Sequence, residues 1–164
     1  MEQKILIVSD SHGRCNYLEH AYQRVKPVDM LIHLGDLEGD EEYIQALVDC
    51  ETVMVSGNND YFSGLPRECM IDIGGYHVML THGHRYGVNY GTETIKQIAR
   101  ENGANIVMFG HTHRPLIDLK DSSIWAVNPG SITQPRQEER IPTFLIMEID
   151  RFGEAHFTLN FVKD

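Results

Sequence analysis

Several short apolar runs in this chain end abruptly in glycine and in side chains that ligate metals. The first run, Ile5-Leu6-Ile7-Val8, is apolar throughout and rich in β-branched residues, which predicts a strand buried on both faces. It gives way to Ser9-Asp10-Ser11-His12-Gly13, where a carboxylate and an imidazole stand two residues apart. A strand covered on both faces belongs to a layered fold, and its polar end is a candidate functional site.

The next two runs repeat this arrangement. Residues 30–34 lead into Gly35-Asp36, and residues 52–55 lead into Gly57-Asn58-Asn59-Asp60. Three such strands with helical crossovers predict a parallel βαβαβ unit. Ligands bind such sheets at the carboxyl ends of the strands, so we expect the three polar clusters at one edge.

Helical patterns separate these runs. One helix is predicted to begin with Asn16 as its capping residue and to end at Lys26-Pro27. The acidic residues 38–41 are expected to open the second helix, because acidic groups favour a helix amino terminus. The predicted inner face of this second helix consists of Tyr43, Ile44, Leu47 and Val48.

The second half of the chain is richer in β-structure. A predicted hairpin over residues 70–73 and 76–80 leads into Thr81-His82-Gly83-His84. After a predicted helix over residues 92–102, a buried strand at 106–109 leads into Gly110-His111-Thr112-His113. Further strands are predicted over residues 116–119, 124–127, 143–149 and 155–162.

Length and composition restrict the class of protein. The 164 residues, read as a single domain spanning 1–164, carry a net charge of −10 with no cluster of Lys or Arg, so we expect no extended nucleic-acid surface. We find neither a membrane span nor a signal peptide, and the three widely spaced cysteines predict a reduced, cytoplasmic protein. The oligomeric state is left open, with a homo-oligomer as one alternative.

The polar clusters, taken in order and with their strand-end contexts, resemble the five motifs of the calcineurin-like metallophosphoesterases. The motifs are Asp10-x-His12, Gly35-Asp36, Gly57-Asn58-Asn59-Asp60, Thr81-His82-Gly83-His84 and Gly110-His111-Thr112-His113. The small size and the later Asn128-Pro129-Gly130-Ser131 make the chain similar to the YfcE-type phosphodiesterases of bacteria and archaea and to the retromer subunit Vps29. The resemblance implies an α/β fold of four layers, α/β/β/α, in which two mixed β-sheets flanked by helices hold metals at one edge.

The resemblance also implies a ligand set for two divalent metal ions. Asp10, His12 and His113 are expected to hold one ion. Asn58, His82 and His111 are expected to hold the other, and Asp36 is expected to bridge both. Oxygen and imidazole ligands without thiolates suit Mn²⁺, which we favour, with Fe, Zn²⁺ and Ni²⁺ as alternatives.

Such a centre predicts hydrolysis of small phosphoesters by a hydroxide that bridges the two metals, with Asp36, Asn58 and His84 as the catalytic residues. Larger relatives have a histidine acid where this chain has Asn59, and an amide cannot protonate a leaving group. His84 is the candidate substitute, for catalysis or for phosphate binding. Since general acid catalysis contributes about 10²–10⁴-fold, we expect a preference for aryl phosphodiesters, which have good leaving groups.

Other roles are weighed against this one. The leading alternative is a protein-binding scaffold similar to Vps29 with a vestigial metal site, and a phosphomonoesterase or a nuclease is a further alternative.

Asp60 is expected to support the ligands, and Asn128 and Ser131 to shape the loop beneath the metals. We interpret His20 as a helix-surface residue, and His33, His77 and His156 as structural groups. The loops 61–63 and 85–87 are expected to contact the leaving group, but their residues identify no substrate.

Overall fold

A computed structural model describes residues 2–163 of the chain. The first five elements are β1 (Gln3–Val8), α1 (Asn16–Val25), β2 (Met30–His33), α2 (Glu41–Leu47) and β3 (Glu51–Met54). The hairpin β4 (Glu68–Ile73) and β5 (Tyr76–Thr81) comes next, followed by two single 3₁₀ turns, His84–Tyr86 and Val88–Tyr90. The remaining elements are α3 (Glu93–Glu101), β6 (Ile106–Met108), β7 (Pro115–Asp118), β8 (Trp125–Pro129), β9 (Thr143–Ile149) and β10 (Ala155–Phe161).

The strands form two five-stranded sheets, with the orders β10-β9-β1-β2-β3 and β4-β5-β6-β8-β7. In the first sheet β1, β2 and β3 are parallel, as the predicted βαβαβ unit requires, and β9 joins β1 antiparallel. In the second sheet β5, β6 and β8 are parallel, and β4 and β7 are antiparallel edge strands. Both sheets are therefore mixed.

Alternate residues of β1 point into two different cores, because successive side chains of a strand face opposite sides of the sheet. Leu6 and Val8 pack with the buried faces of α1 and α2. Ile5 and Ile7 pack against apolar residues of the second sheet, such as Val78. On the far side of that second sheet, α3 contributes its own buried residues. The layers are thus helices, sheet, sheet and helix, which confirms the four-layer fold.

Two local expectations were wrong. Cys15, and not Asn16, precedes the first turn of α1, and no side chain caps that helix. Residue Tyr43 is half exposed and not on the inner face of α2, whereas Ile44 is fully buried. The second helix also begins only at Glu41, which leaves Glu38 in the loop before it. No helix within residues 2–163 combines the length and the apolar character needed to cross a membrane.

Candidate metal centre

The polar loops of both sheets meet at one edge of the molecule, where backbone hydrogen bonds join them. In the first sheet the Asp10 amide donates to the Gly35 carbonyl at 2.9 Å, and the His12 amide donates to the Asp36 carbonyl at 2.9 Å. In the second sheet the Gly110 amide donates to the His82 carbonyl at 3.0 Å. All seven side chains predicted as metal ligands lie in these loops or in the adjoining loop of Asn58.

Asp10 is fully buried, and one of its carboxylate oxygens has no hydrogen-bond partner. Its Oδ2 accepts hydrogen bonds from Ser9 Oγ at 2.7 Å and from the His111 amide at 3.1 Å. Its Oδ1 instead faces the Nε2 atoms of His113, His12 and His82, at 3.3, 3.7 and 3.7 Å. Because an unpaired buried carboxylate oxygen is costly, this arrangement fits a cation between the oxygen and the imidazoles.

Asp36 lies beside the same imidazoles. Its Oδ2 is 3.4 Å from His82 Nε2 and 3.8 Å from His12 Nε2. Asn59 holds this carboxylate twice, through its backbone amide to Oδ1 at 2.9 Å and its side-chain amide to Oδ2 at 3.0 Å. Gly57 allows the approach, because a Cβ there would collide with the Asp36 carboxylate. Asn59 therefore orients a carboxylate.

The histidine rings are aimed by hydrogen bonds on the nitrogen that faces away from the centre. His82 Nδ1 donates to the Leu34 carbonyl and His113 Nδ1 donates to the Gln134 carbonyl, each at 2.7 Å. His12 Nδ1 is 3.1 Å from a carboxylate oxygen of Glu38. These bonds fix the tautomers and leave each Nε2 free to bind a metal.

His111 is oriented the other way round and joins Asn58 to the rest of the centre. Its Nδ1 is 3.1 Å from Asn58 Oδ1 and 3.3 Å from His82 Nε2. Gly110 is needed beside it, because a Cβ there would collide with the hydroxyl of Ser9. Side-chain oxygen and imidazole nitrogen atoms thus face one another here as well.

The backbone of the centre is strained. Among residues 2–163, eight residues other than glycine have a positive φ, and five of these are predicted ligands: Asp10, His12, Asp36, His111 and His113. Side chains other than glycine rarely adopt this conformation, and strain of this kind collects at functional sites. The positive φ angles turn these side chains toward one another at the strand ends.

Electrostatics keep the carboxylates charged. Burial acts to raise the pKa of Asp10, but the close imidazoles of His113 and His82 outweigh it and hold the pKa below its usual value. For Asp36, burial is likewise outweighed by the nearby His82 imidazole and by the two hydrogen bonds from Asn59, so its pKa also lies below the usual range. Burial and the nearby charge of His82 lower the pKa of His111. Deprotonated carboxylates and a neutral imidazole are the forms that bind metals.

The residues expected to support the predicted ligands contact the backbone of the loops that carry them. Asp60 accepts hydrogen bonds from the backbone amides of Asp36 and Glu38, each at 2.7 Å, and of Gly57 at 2.8 Å. The hydroxyl of Ser131 donates to the Asp10 carbonyl at 2.8 Å. Asn128 donates to the Gly110 carbonyl at 3.1 Å. These contacts fix the loops that present the ligands.

His84 lies at the outer side of the centre. Its ring centroid is 5.5 Å from that of His82 and 6.0 Å from that of His111. Burial, together with the charges of those two histidines, lowers the pKa of His84. Its Nδ1 atom is buried and has no hydrogen-bond partner. The side chain is therefore close to the predicted ligands but is not held by any of them.

The histidines interpreted as structural have partners elsewhere. His33 is buried beneath the centre, with Nε2 2.9 Å from Ser11 Oγ and with Nδ1 accepting from the Gly35 amide at 3.1 Å. His77 and His156 are exposed and lie 2.6 and 2.8 Å from single carboxylates. They are satisfied as expected, although they are not packed. His20 is exposed on α1.

Sequence reasoning did not assign a role in the centre to Glu38 and Gln134. Glu38 was assigned to the start of α2, yet it precedes that helix, has a positive φ and contacts His12. Gln134 acts through its backbone carbonyl, which leaves no signal in the residue type. For Glu38 a signal was available, because it is an acidic residue two positions after the proposed ligand Asp36.

Two groups of side chains within the centre have the spacing needed to hold a metal ion. One consists of Asp10, His12 and His113, and the other of Asp10, Asp36 and His82. Each offers ligand atoms that lie within 4.8 Å of one another. Asp10 is common to both groups, whereas the sequence interpretation gave the shared position to Asp36. Carboxylate and imidazole atoms with no thiolate form a donor set that suits a divalent transition metal.

Comparison with known proteins supports the family resemblance that the sequence motifs indicate. The model of the calcineurin-like phosphoesterase superfamily domain matches residues 3–151. The probable metallophosphoesterase YsnB of Bacillus subtilis strain 168 is 31% identical over 147 residues, covering 89% of this chain and 84% of YsnB.

Two solved structures share the fold at lower identity. Wild-type Vps29 of Entamoeba histolytica, solved in complex with Zn²⁺, superposes with a TM-score of 0.75 at 22% identity, covering 98% of this chain and 99% of Vps29. A novel archaeal phosphodiesterase superposes with a TM-score of 0.70 at 20% identity, covering 96% of this chain and 99% of its own. From the matched domain and the ligand groups at the strand ends, we conclude that this chain belongs to the calcineurin-like phosphoesterase superfamily.

Proposed function

We propose that the protein is a phosphodiesterase that uses two divalent metal ions and acts best on esters with good leaving groups. The observation that carries this proposal is the unpaired, fully buried Oδ1 of Asp10, which faces three imidazole nitrogens. Asp10, His12 and His113 would hold one ion. Asn58, His82 and His111 would hold the other, with Asp36 between them. Mn²⁺ is our first choice for this donor set.

When bound, the two ions would activate a water molecule as the nucleophile and neutralise charge on the phosphoryl oxygens. The protein itself supplies rigid positioning. Asp36 is kept charged and aimed by Asn59, and His12, His82 and His113 are aimed by bonds to Glu38, Leu34 and Gln134. Ligands fixed in this way lose little freedom when a substrate binds, which favours catalysis.

The leaving-group preference follows from Asn59 and His84. The Asn59 amide has no acidic proton and is already committed to Asp36. His84 has a lowered pKa, so it is neutral at pH 7 and a weak proton donor, although it can donate one hydrogen bond to a phosphoryl or departing oxygen. Without a strong acid, the departing oxygen must leave unprotonated. The ratio of aryl-ester to alkyl-ester hydrolysis rates should therefore be about 10²–10⁴-fold larger than in an enzyme that has the acid.

The test combines metal content with turnover. Protein stripped with a chelator and reloaded with Mn²⁺ should bind two ions per chain and hydrolyse bis(p-nitrophenyl) phosphate, and it should act much more slowly on p-nitrophenyl phosphate and on dialkyl esters. Asp36→Asn should abolish this turnover. His84→Ala should slow the hydrolysis if His84 contacts the reacting group, and an unchanged rate would exclude that role.

Metal binding alone does not separate the enzyme from the scaffold alternative, because a Vps29 has been solved as a zinc complex. Turnover separates them. Stoichiometric Mn²⁺ without hydrolysis of any aryl ester would reject the phosphodiesterase and favour a protein-binding role.

A further inference from the structure

A cleft of about 500 Å³ opens beside the candidate metal centre. Its walls include the predicted ligand Asn58, His84, two arginines and two aromatic side chains: Arg67, Arg85, Tyr61 and Phe62. None of these last four residues contributes to the centre itself. The cleft is therefore the space that the remainder of a bound substrate would occupy.

Phe62 has an exposure and a backbone conformation that are both unfavourable for a phenylalanine. Its side chain is 105% exposed, the highest value among the large apolar residues, and its backbone has a φ of +61°. An exposed aromatic ring gains nothing from burial, and a bulky residue with a positive φ is strained. A ring in this position has an open face on which a planar group can stack.

Arg67 and Arg85 provide positive charge in a protein with a net charge of −10. Both are exposed, and neither takes part in the ion pairs that Lys and Arg form with acidic side chains within residues 2–163, which are Lys96–Asp118 and Arg100–Asp121. Their guanidinium groups are thus available to an external anion, and planar guanidinium suits phosphate.

The other side of Phe62 has the opposite charge. A second depression there is lined by Glu38, Glu41 and Asp60 as well as by Phe62. In the arginine-lined cleft the Asp60 carboxylate is occupied by three backbone amides, so it competes weakly for the arginines. An anionic group bound beside Phe62 would therefore be directed toward Arg67 and Arg85.

We propose that Arg67 and Arg85 form a second phosphate subsite and that Phe62 stacks an aromatic ring next to it. The preferred substrate class is then a nucleotide-like phosphodiester that carries a further phosphate. This inference rests on the proposed function, since it assumes that the scissile phosphate lies at the metal centre. Two arginines match one additional phosphate, and they do not form the extended basic surface that a nucleic-acid polymer requires.

Three probes with the same p-nitrophenolate leaving group test the two parts of the subsite. The first is methyl p-nitrophenyl phosphate, the second is the 5′-p-nitrophenyl ester of thymidine 5′-phosphate, and the third is that ester with a 3′-phosphate added. The 3′-phosphate should raise kcat/KM about tenfold, mainly through KM, as expected for charge-assisted hydrogen bonds at an exposed site. The thymine ring should contribute about a further tenfold through stacking.

Variants assign these gains to residues. The double variant Arg67→Gln/Arg85→Gln should abolish the advantage of the 3′-phosphate, measured as the ratio of kcat/KM for the two thymidine esters, which share their leaving group. Phe62→Ala should lower kcat/KM for both thymidine esters equally. The turn between β9 and β10 offers matched controls, because Arg151→Gln removes the same charge and Phe152→Ala the same kind of exposed ring. Neither control should alter any ratio.

Binding keeps the inference testable if no probe is hydrolysed, an outcome that would count against the proposed function. Thymidine 3′,5′-bisphosphate is not a diester, so its affinity for the Mn²⁺-loaded protein can be measured by calorimetry without turnover. The double variant should bind it about tenfold more weakly than wild type does. Equal affinities, or a 3′-phosphate advantage that survives in the double variant, would overturn the proposed subsite.

Discussion

Two clusters of histidine and carboxylate side chains lie at opposite ends of the first sheet. The candidate metal centre follows the carboxyl end of β1. The other cluster, Asp150, Glu154 and His156, lies in the turn after β9 and at the start of β10, beside the amino end of β1, because Gln3 pairs with Ile149. Both clusters have atoms spaced closely enough to hold an ion. They differ in burial, in hydrogen bonding and in backbone strain.

In the distal cluster both oxygens of the Asp150 carboxylate have hydrogen-bond partners. Asp150 accepts hydrogen bonds from the amides of Phe152 and Glu154 at 2.8 and 3.0 Å, and it is 2.8 Å from His156 Nε2. At the centre, by contrast, Asp10 Oδ1 is buried and unpaired. The same residue types thus stabilise a turn in the distal cluster, whereas in the candidate metal centre they leave a buried carboxylate oxygen without a partner, which a cation could supply. Unsatisfied burial, and not composition, distinguishes the candidate metal centre from the distal cluster.

Backbone strain separates the two clusters in the same way. Positive φ angles occur at Asp10, His12 and Asp36, but at none of the three residues of the distal cluster. Conformations of this kind cost about 1–3 kcal/mol each and persist only where the surroundings enforce them. The loops of the centre therefore carry a local cost in stability that the distal cluster does not.

The largest expected effect comes from removing the carboxylate that distinguishes the clusters. Asp10→Asn should lower phosphodiester turnover by about 10³-fold, since metal ions contribute several kcal/mol of transition-state stabilisation. Asp150→Asn makes the same chemical change in the distal cluster and should leave the rate unchanged. Steady-state kinetics with Mn²⁺, together with metal analysis and circular dichroism, would measure both. A fully active Asp10→Asn protein would remove the basis of the comparison.

The sequence predicted the strands, their order along the chain and the polar residues at their ends, because periodicity and glycine punctuation are local signals. It did not predict how these residues are held. The bonds of His82 and His113 to the carbonyls of Leu34 and Gln134 involve main-chain atoms, and these depend on tertiary packing. Likewise Asn59 is visible in the sequence only as a missing acid, whereas its contacts with Asp36 emerge from the fold.

The next effect concerns acid stability and the buried histidine under the centre. Burial lowers the pKa of His33 to about 4. In the neutral ring, Nδ1 accepts a hydrogen bond from the Gly35 amide, and protonation of Nδ1 would place two N–H donors against each other. The unfolded state binds the proton near pH 6.5, so stability falls as the pH drops from 6.5 to about 4. The total loss is about 3 kcal/mol, from about 1.4 kcal/mol per pH unit.

Urea unfolding of the chelator-treated protein between pH 7 and 4.5 would measure this dependence. His33→Asn is the matched variant, because its Oδ1 can still accept from the Gly35 amide but does not titrate. The wild-type protein should lose stability more steeply than the variant, and identical slopes would show that His33 does not contribute.

A smaller effect is expected from the carboxylate that orients His12. Glu38 is 3.1 Å from His12 Nδ1, and its side chain is 40% exposed. Removing such a supporting partner costs about 10–100-fold in metal affinity, and the exposure of Glu38 places it at the lower end. Glu38→Gln should therefore weaken Mn²⁺ binding about tenfold in a competition titration with a chelator. Glu154→Gln, in the distal cluster, is the control and should not weaken it.

The smallest effect should come from the distal pair, with a pH dependence opposite to that of His33. The hydrogen bond with Asp150 raises the pKa of His156, and it lowers the pKa of Asp150. The contribution of His156 is therefore complete below its unfolded pKa near 6.5 and disappears as the pH rises through its folded value. Because both groups are exposed, His156→Gln should lower the Tm only slightly, and only at the acidic end of a thermal-melting series from pH 5 to 9.

Saturating Mn²⁺ should raise the Tm of His156→Gln and of wild type equally, whereas a smaller gain in the variant would mean that the distal cluster also binds metal.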